Sequence, residues 1–209
     1  MKTPGEMIEL VSEMPMVKPG EMPTDDLEGT VSENTLEQDY TFMFSFTITA
    51  IGKIDVYMEK NKESAIGVSA SRIDNGYKFR HAQLFRVYFM PARFKHPSAM
   101  TNILQVKWVA THSKFRRLGL ASSIYYMFAK QGFTVVSDYT QYERAVDLWK
   151  SISEEHHTAI LDVNSGKFLG KDGKVIEYDG HNIPDDQIWK ASPDVTGMNR
   201  LLVLVLTSD

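Results

Sequence analysis

The residues best suited to chemistry lie in one run, Leu104–Ala121, LQVKWVATHSKFRRLGLA. It reads as a buried strand, a short basic turn through Lys114, Arg116 and Arg117, and an abrupt helix start over Arg116–Ala121. The first N–H groups of a helix have no carbonyl partner within it, and the helix dipole is positive at that end. A turn of this kind therefore takes phosphate well. Gly119 suits the role, because a residue without a side chain lets the backbone come close to an anion. The pattern predicts a phosphate-bearing ligand on the backbone of Arg116, Arg117, Leu118, Gly119, Leu120, Ala121 and Ser122.

Further along, Ser137, Tyr139 and Tyr142 surround a short apolar strand and the start of the next helix, and each could move a proton. Each also has a plain structural reading: Ser137 and Asp138 as helix-entry caps, the tyrosines as packing. His112 and Lys114 sit beside the basic turn. Carboxylates are missing from the strand at 104–111, which offers only Gln105 and Lys107, and the strands before it offer only His81 as a candidate general base. His156-His157 lacks the i, i+4 spacing and neighbouring carboxylates of a metal site, so no metal is assigned.

The elements that must position these residues follow from hydropathy. Segments 41–50, 54–60, 65–73, 76–80 and 83–90 alternate and are rich in β-formers, with Asn75-Gly76 as a hairpin turn. They predict an antiparallel meander. A loop through Pro91 and Pro97 leads to the strand at 104–111. A helix over about 118–131 ends at Gln131-Gly132, where glycine suits the cap. A buried strand at 134–139 precedes a helix over 141–152, whose Ala145, Leu148, Trp149 and Ile152 share one face. Strands follow at 157–163 and 200–207, with a turn at Lys171–Gly173 between them.

At 209 residues the chain suffices for one well-cored domain. It has no cysteine, which excludes disulfides, thiolate metal sites and a cysteine nucleophile. The N-terminus lacks the apolar core of a signal peptide and no run reaches membrane-spanning length, so a cytoplasmic protein without a membrane partner is expected. The net charge of −4 hides a segregation. Residues 1–40 carry Glu6, Glu9, Glu13, Glu21, Asp25, Asp26, Glu28, Glu33, Glu37 and Asp39 against Lys2 and Lys18. No acid stands between Asp74 and Asp138, an interval that holds Lys78, Arg80, Arg86, Arg93, Lys95, Lys107, Lys114, Arg116, Arg117 and Lys130. Two readings fit: a basic middle that attracts an anionic ligand, or one neutralised by the acidic arm. The overall acidity argues against a dedicated nucleic-acid site. Residues 1–38 are expected as an irregular acidic arm and 39–209 as a single domain.

Arg116-x-x-Gly119-x-Ala121, between an apolar strand and an apolar helix, resembles the Q/R-x-x-G-x-G/A signature of the GCN5-related N-acetyltransferases. The resemblance covers roughly residues 100–163. It implies a mixed α/β (α+β) fold with a mostly antiparallel central sheet and a strand–helix–strand–helix unit that binds acetyl-CoA. It also implies that Val109, Ala110 and Thr111 offer strand backbone to the pantetheine arm and acetyl carbonyl, with Arg116 through Ser122 holding the pyrophosphate. The chain departs from the family in two places. The two helices that usually follow the first strand are reduced or replaced, since 51–75 reads as strand. In the A-x-x-L-Y pattern that often carries a catalytic tyrosine, Ala145-Val-Asp-Leu148-Trp149 has tryptophan, and an indole N–H is no acid at useful pH. Tyr142, at the helix start, is the preferred alternative acid and Ser137 the second. VVSDYTQYERAVDLWKSI is similar to versions of the family common in tailed-phage genomes, which implies a phage or prophage origin and hence a host cytoplasm.

The resulting expectation is an acetyl-CoA-dependent transfer of an acetyl group to an amine of a small molecule or protein, with a homodimer as one option. The alternative is a non-catalytic CoA-binding or partner-binding protein on the same scaffold. Nucleic-acid modification stands third, on the basic middle alone.

Overall fold

A computed structural model describes residues 30–61, 63–74, 79–90, 92, 94–138, 143–188 and 202–207. Two compact units divide them, and each is internally a mixed α/β arrangement in which most strand pairs are antiparallel.

The first unit comprises the described residues up to Met90 together with Val106–Ile124. It opens with strand β1 (Thr30–Ser32) and helix α1 (Glu33–Asp39). The Ser32 hydroxyl accepts the N–H of Thr35 at 3.2 Å, and Glu33 places an acid in the first turn, as a helix start favours. Strands β2 (Tyr40–Ile48), β3 (Gly52–Glu59), β4 (Ser64–Asp74) and β5 (Phe79–Met90) form an antiparallel meander. Its connection at Gly52 needs the left-handed φ of 94° that glycine adopts without strain. The two expected strands at 76–80 and 83–90 are, over the described residues, one strand: His81-Ala82 contains no breaker. The expected hairpin turn at Asn75-Gly76 lies outside the described residues.

Alternation in β3 buries Ile54, Val56 and Met58 on one face and leaves Asp55, Tyr57 and Glu59 half-buried on the other. On the first face Gly67 is opposite Phe85, whose ring fills the space a side chain at 67 would need: a Cβ there would lie 1.7 Å from Phe85 Cε1. On the second face Val31, Leu36, Tyr40, Ile66 and Val68 pack together with Tyr57. Residues 30–38, the last part of the acid-rich segment, thus form a strand and a short helix whose apolar residues cover the sheet. Strand β6 (Ile103–Thr111) neighbours β5, and from Val106 onward it counts with this unit.

The second unit holds the described residues of 91–105 and 125–209. Helix α2 (Leu120–Lys130) ends where Gly132, at φ 82°, turns the chain and donates its N–H to the Ala129 carbonyl. Strand β7 (Thr134–Val136) runs parallel to β6, pairing Ile103, Leu104 and Gln105 with Thr134, Val135 and Val136. It is shorter than the expected 134–139, because the Ser137 N–H and hydroxyl both turn to Leu204. Helix α3 (Glu143–Glu155) precedes β8 (Thr158–Asp162). Short strands β9 (Lys167–Phe168), β10 (Gly170–Lys171), β11 (Lys174–Val175) and β12 (Glu177–Tyr178) follow, then helix α4 (Asp185–Ile188) and strand β13 (Leu202–Leu206). Asp172 and Gly173 both have positive φ, which makes the β10–β11 connection a tight two-residue hairpin. Strand β13 lies antiparallel between β7 and β8, and all five of its residues are buried. Met100, Val136, Leu161, Val163, Val203 and Val205 make the core beside it. Among the described residues no helix is long and apolar enough to cross a membrane.

Candidate functional site

The turn between β6 and α2 is built by backbone. The His112 N–H donates to the Leu84 carbonyl at 2.9 Å, which fixes the end of β6 against β5. A single 3-10 turn, Ser113–Phe115, follows, with the His112 ring accepting the Lys114 N–H at 3.2 Å and lying tilted against Phe115, ring centroids 5.3 Å apart. The guanidinium Nε of Arg116 donates back to the Thr111 carbonyl at 3.2 Å, closing the turn on itself.

The helix begins at Leu120, two residues later than the spacing predicts. The reason is the conformation of Gly119: at φ 72° it cannot be a right-handed helical residue, yet its carbonyl accepts the Ser123 N–H at 3.0 Å, the first bond of the helix. Its carbonyl also accepts the Ser122 hydroxyl at 2.9 Å. The N–H groups of Leu120, Ala121 and Ser122, in the first turn, have no helix carbonyl to meet. Arg117 also has positive φ, 63°, whereas Leu118 between the two does not. Alternation of left-handed with other backbone conformations is the pattern from which anion-binding nests are built. A Cβ on Gly119 would meet only Ser122 Oγ, at 3.7 Å, so conformation and not crowding selects glycine here.

Lys114, Arg116, Arg117, Leu118 and Gly119 are exposed, while Leu120 is buried as the first anchor of α2. Among the described residues no carboxylate pairs with Lys114, Arg116 or Arg117. Val109, Ala110 and Thr111 are half-buried along β6. All ten of the residues expected to hold a cofactor, Val109–Thr111 and Arg116–Ser122, therefore fall in one unit, on one strand, turn and helix start.

The expected proton donors are placed differently. Ser137 is buried: its hydroxyl accepts the Leu204 N–H at 2.9 Å and donates to the Asp138 carbonyl at 3.0 Å, which ties the end of β7 to β13. Tyr139 and Tyr142 lie outside the described residues. Trp149 is buried in α3 against Tyr125 of α2, ring centroids 5.6 Å apart. Burial pushes the Tyr125 hydroxyl well above the usual phenol range.

A second group of polar side chains, in the unit that holds the basic turn, escaped the reading of the sequence. The Tyr40 hydroxyl donates to Glu59 Oε1 at 3.2 Å, and Arg86 donates from Nη2 to Tyr40 at 3.3 Å and from Nη1 to the Tyr88 hydroxyl at 3.1 Å. Burial raises the Tyr40 pKa above the phenol value of 10.0; Arg86 lowers it and Glu59 raises it further. Desolvation lowers the Arg86 pKa, but the hydrogen bond to Tyr88 and the nearby Tyr40 and Glu59 outweigh this and leave it raised. The β2–β3 register sets Tyr40 opposite Glu59, a pairing that the sequence pattern does not announce.

Compared with models of known protein families and with curated proteins, the chain matches none.

Proposed function

We propose that the chain is an acetyl-CoA-dependent N-acetyltransferase, with Arg116–Ser122 as the pyrophosphate cradle and Val109–Thr111 as the strand backbone alongside the pantetheine arm. The observation that carries this reading is the turn itself. Two left-handed residues flank Leu118, a helix start with free N–H groups follows, and exposed cations stand beside it without carboxylate partners among the described residues. Backbone donors of this kind, with the helix dipole behind them, favour a diphosphate over a neutral ligand. The parallel pairing of β6 with β7 covers three residues, and β6 then continues to Thr111. That continuation offers strand backbone for sheet-like hydrogen bonds to an extended ligand.

In the transfer, an amine nitrogen attacks the thioester carbonyl and the CoA thiolate departs. The chain's own contributions are to hold the phosphates, to align the thioester along β6, and to donate a strand N–H toward the carbonyl oxygen as negative charge develops there. The acceptor is an amine of a small molecule or of a protein.

A second reading, a CoA-binding protein without transfer activity, is favoured by Trp149, which fills the core where a tyrosine acid is common in the resembling family, and by the fully engaged Ser137 hydroxyl. Native mass spectrometry for co-purified CoA, followed by calorimetry with acetyl-CoA, tests the cradle. Absence of both bound cofactor and binding heat would sink both readings. Binding without thiol release over a broad panel of amines would select the second.

A further inference from the structure

The proposed transfer leaves one role unfilled, the group that protonates the departing thiolate. The polar chain Glu59–Tyr40–Arg86–Tyr88 bears on it. Tyr40 commits its proton to Glu59 and receives Arg86 on its oxygen. Tyr88 receives the other guanidinium nitrogen of Arg86 on its oxygen, and among the described residues nothing accepts its proton. The residue is 38% exposed, so a ligand can approach it. The Tyr88 ring packs 5.2 Å from Trp108, the residue that precedes Val109 on β6. Arg86 also lies over the Tyr88 ring, 5.8 Å from its centroid, which holds the phenol in place from a second side.

We propose that Tyr88 is the general acid of the transfer and that Arg86 positions it; the proposal rests on the acetyl-CoA reading above. As the amine lone pair forms the C–N bond, the C–S bond breaks and its electron pair stays on sulfur. The Tyr88 O–H proton passes to that sulfur, giving the free thiol of CoA. The nitrogen releases its own proton to solvent, and solvent returns one to the Tyr88 oxygen. Between these steps the negative charge on the phenolate oxygen is compensated by the guanidinium of Arg86 at hydrogen-bond distance. A tyrosine on β5 beside the proposed cofactor strand would thereby supply what Trp149 on α3 cannot.

The test compares wild type, Tyr88→Phe and Tyr142→Phe. Each is measured for CoA binding by calorimetry and for thiol release from acetyl-CoA over a primary-amine panel of spermidine, an aminoglycoside and a peptide with a free N-terminus. Tyr88→Phe keeps the ring against Trp108, so its melting temperature should stay that of wild type. Its kcat should fall about 100-fold while the KM for acetyl-CoA and the CoA affinity stay within about twofold. The proposal is overturned if Tyr88→Phe turns over normally, if it loses CoA binding in place of kcat, or if Tyr142→Phe is the variant that fails. A wild type that binds CoA but releases no thiol overturns it too, leaving the cradle standing. A wild type that binds no CoA removes the underlying reading itself.

Discussion

The Gly119 carbonyl and the Ser123 N–H meet at 3.0 Å, so helix α2 hangs on a residue that is itself left-handed. That pairing fixes how the first-turn N–H groups are aimed. Replacing Gly119 by alanine forces a Cβ into a positive-φ position with room around it, and should cost about 1–2 kcal/mol of stability. Gly119→Asn should cost less, because asparagine tolerates this conformation. Both variants should weaken CoA binding in calorimetry, since the added side chain enters the open space beside the backbone donors. Equal stability of all three proteins in urea titrations would show that the left-handed turn is not held in solution.

Arg116 and Arg117 should separate by function. Arg116 closes the turn on the Thr111 carbonyl, whereas Arg117 occupies a strained φ of 63° and makes no such bond among the described residues. Arg117→Gly relieves that strain and should hold or raise the melting temperature while weakening CoA binding. Arg116→Ala should lower both. With both cations removed, the dependence of CoA affinity on ionic strength should flatten, because screening acts on the lost charges. A salt series with the double variant measures this directly.

Period and punctuation made much of this molecule readable. The alternation of β3, the buried Trp149 and Ile152 of α3, and the glycine stop at Gly132 are local signals that tertiary packing had no reason to override. Helix α2 begins later than its apolar pattern because the φ of Gly119 is decided by the turn and not by hydropathy. The chain from Glu59 to Tyr88 was not readable, since its members stand 19 and 46 residues from Tyr40. Strand register brings them together, and register is set by turns and a bulge at Phe42/Phe44 that composition does not announce.

Trp149 should behave as a core residue. It is buried against Tyr125, and truncation to alanine should cost about 3–5 kcal/mol, measured by chemical denaturation. Trp149→Tyr, which restores the residue type common in the resembling family, should also lose stability and should not raise the rate of thiol release from acetyl-CoA. A gain in rate would show that the indole stands in the path of the chemistry.

Stability should decline as the pH rises past about 10. Burial raises the pKa of Tyr40, Tyr57 and Tyr125 above the unfolded value of 10.0, so above it the unfolded chain sheds protons that the folded chain keeps. Unfolding free energy then falls with pH, by about 1.4 kcal/mol per pH unit for each fully affected tyrosine. Tyr125→Phe should remove one such contribution and make the decline shallower between pH 10 and 12. An unchanged slope in urea titrations across that range would place the Tyr125 hydroxyl in contact with water.

Gly67 and Phe85 should be energetically coupled. The Phe85 ring occupies the place of a Gly67 side chain so closely that Gly67→Ala cannot be accommodated without moving the ring or the strand. Overpacking of this kind typically costs about 1–3 kcal/mol. Phe85→Leu alone leaves a void, and it too should destabilise. The combination Gly67→Ala with Phe85→Leu should recover part of the loss, because the new methyl fills space the smaller side chain vacates. A double-mutant cycle should therefore give a favourable coupling of about 0.5–3 kcal/mol. Simple additivity of the two single effects would mean that β4 and β5 are not in the register of Gly67 opposite Phe85, and the cross-strand placement of Arg86 and Tyr88 would fall with it.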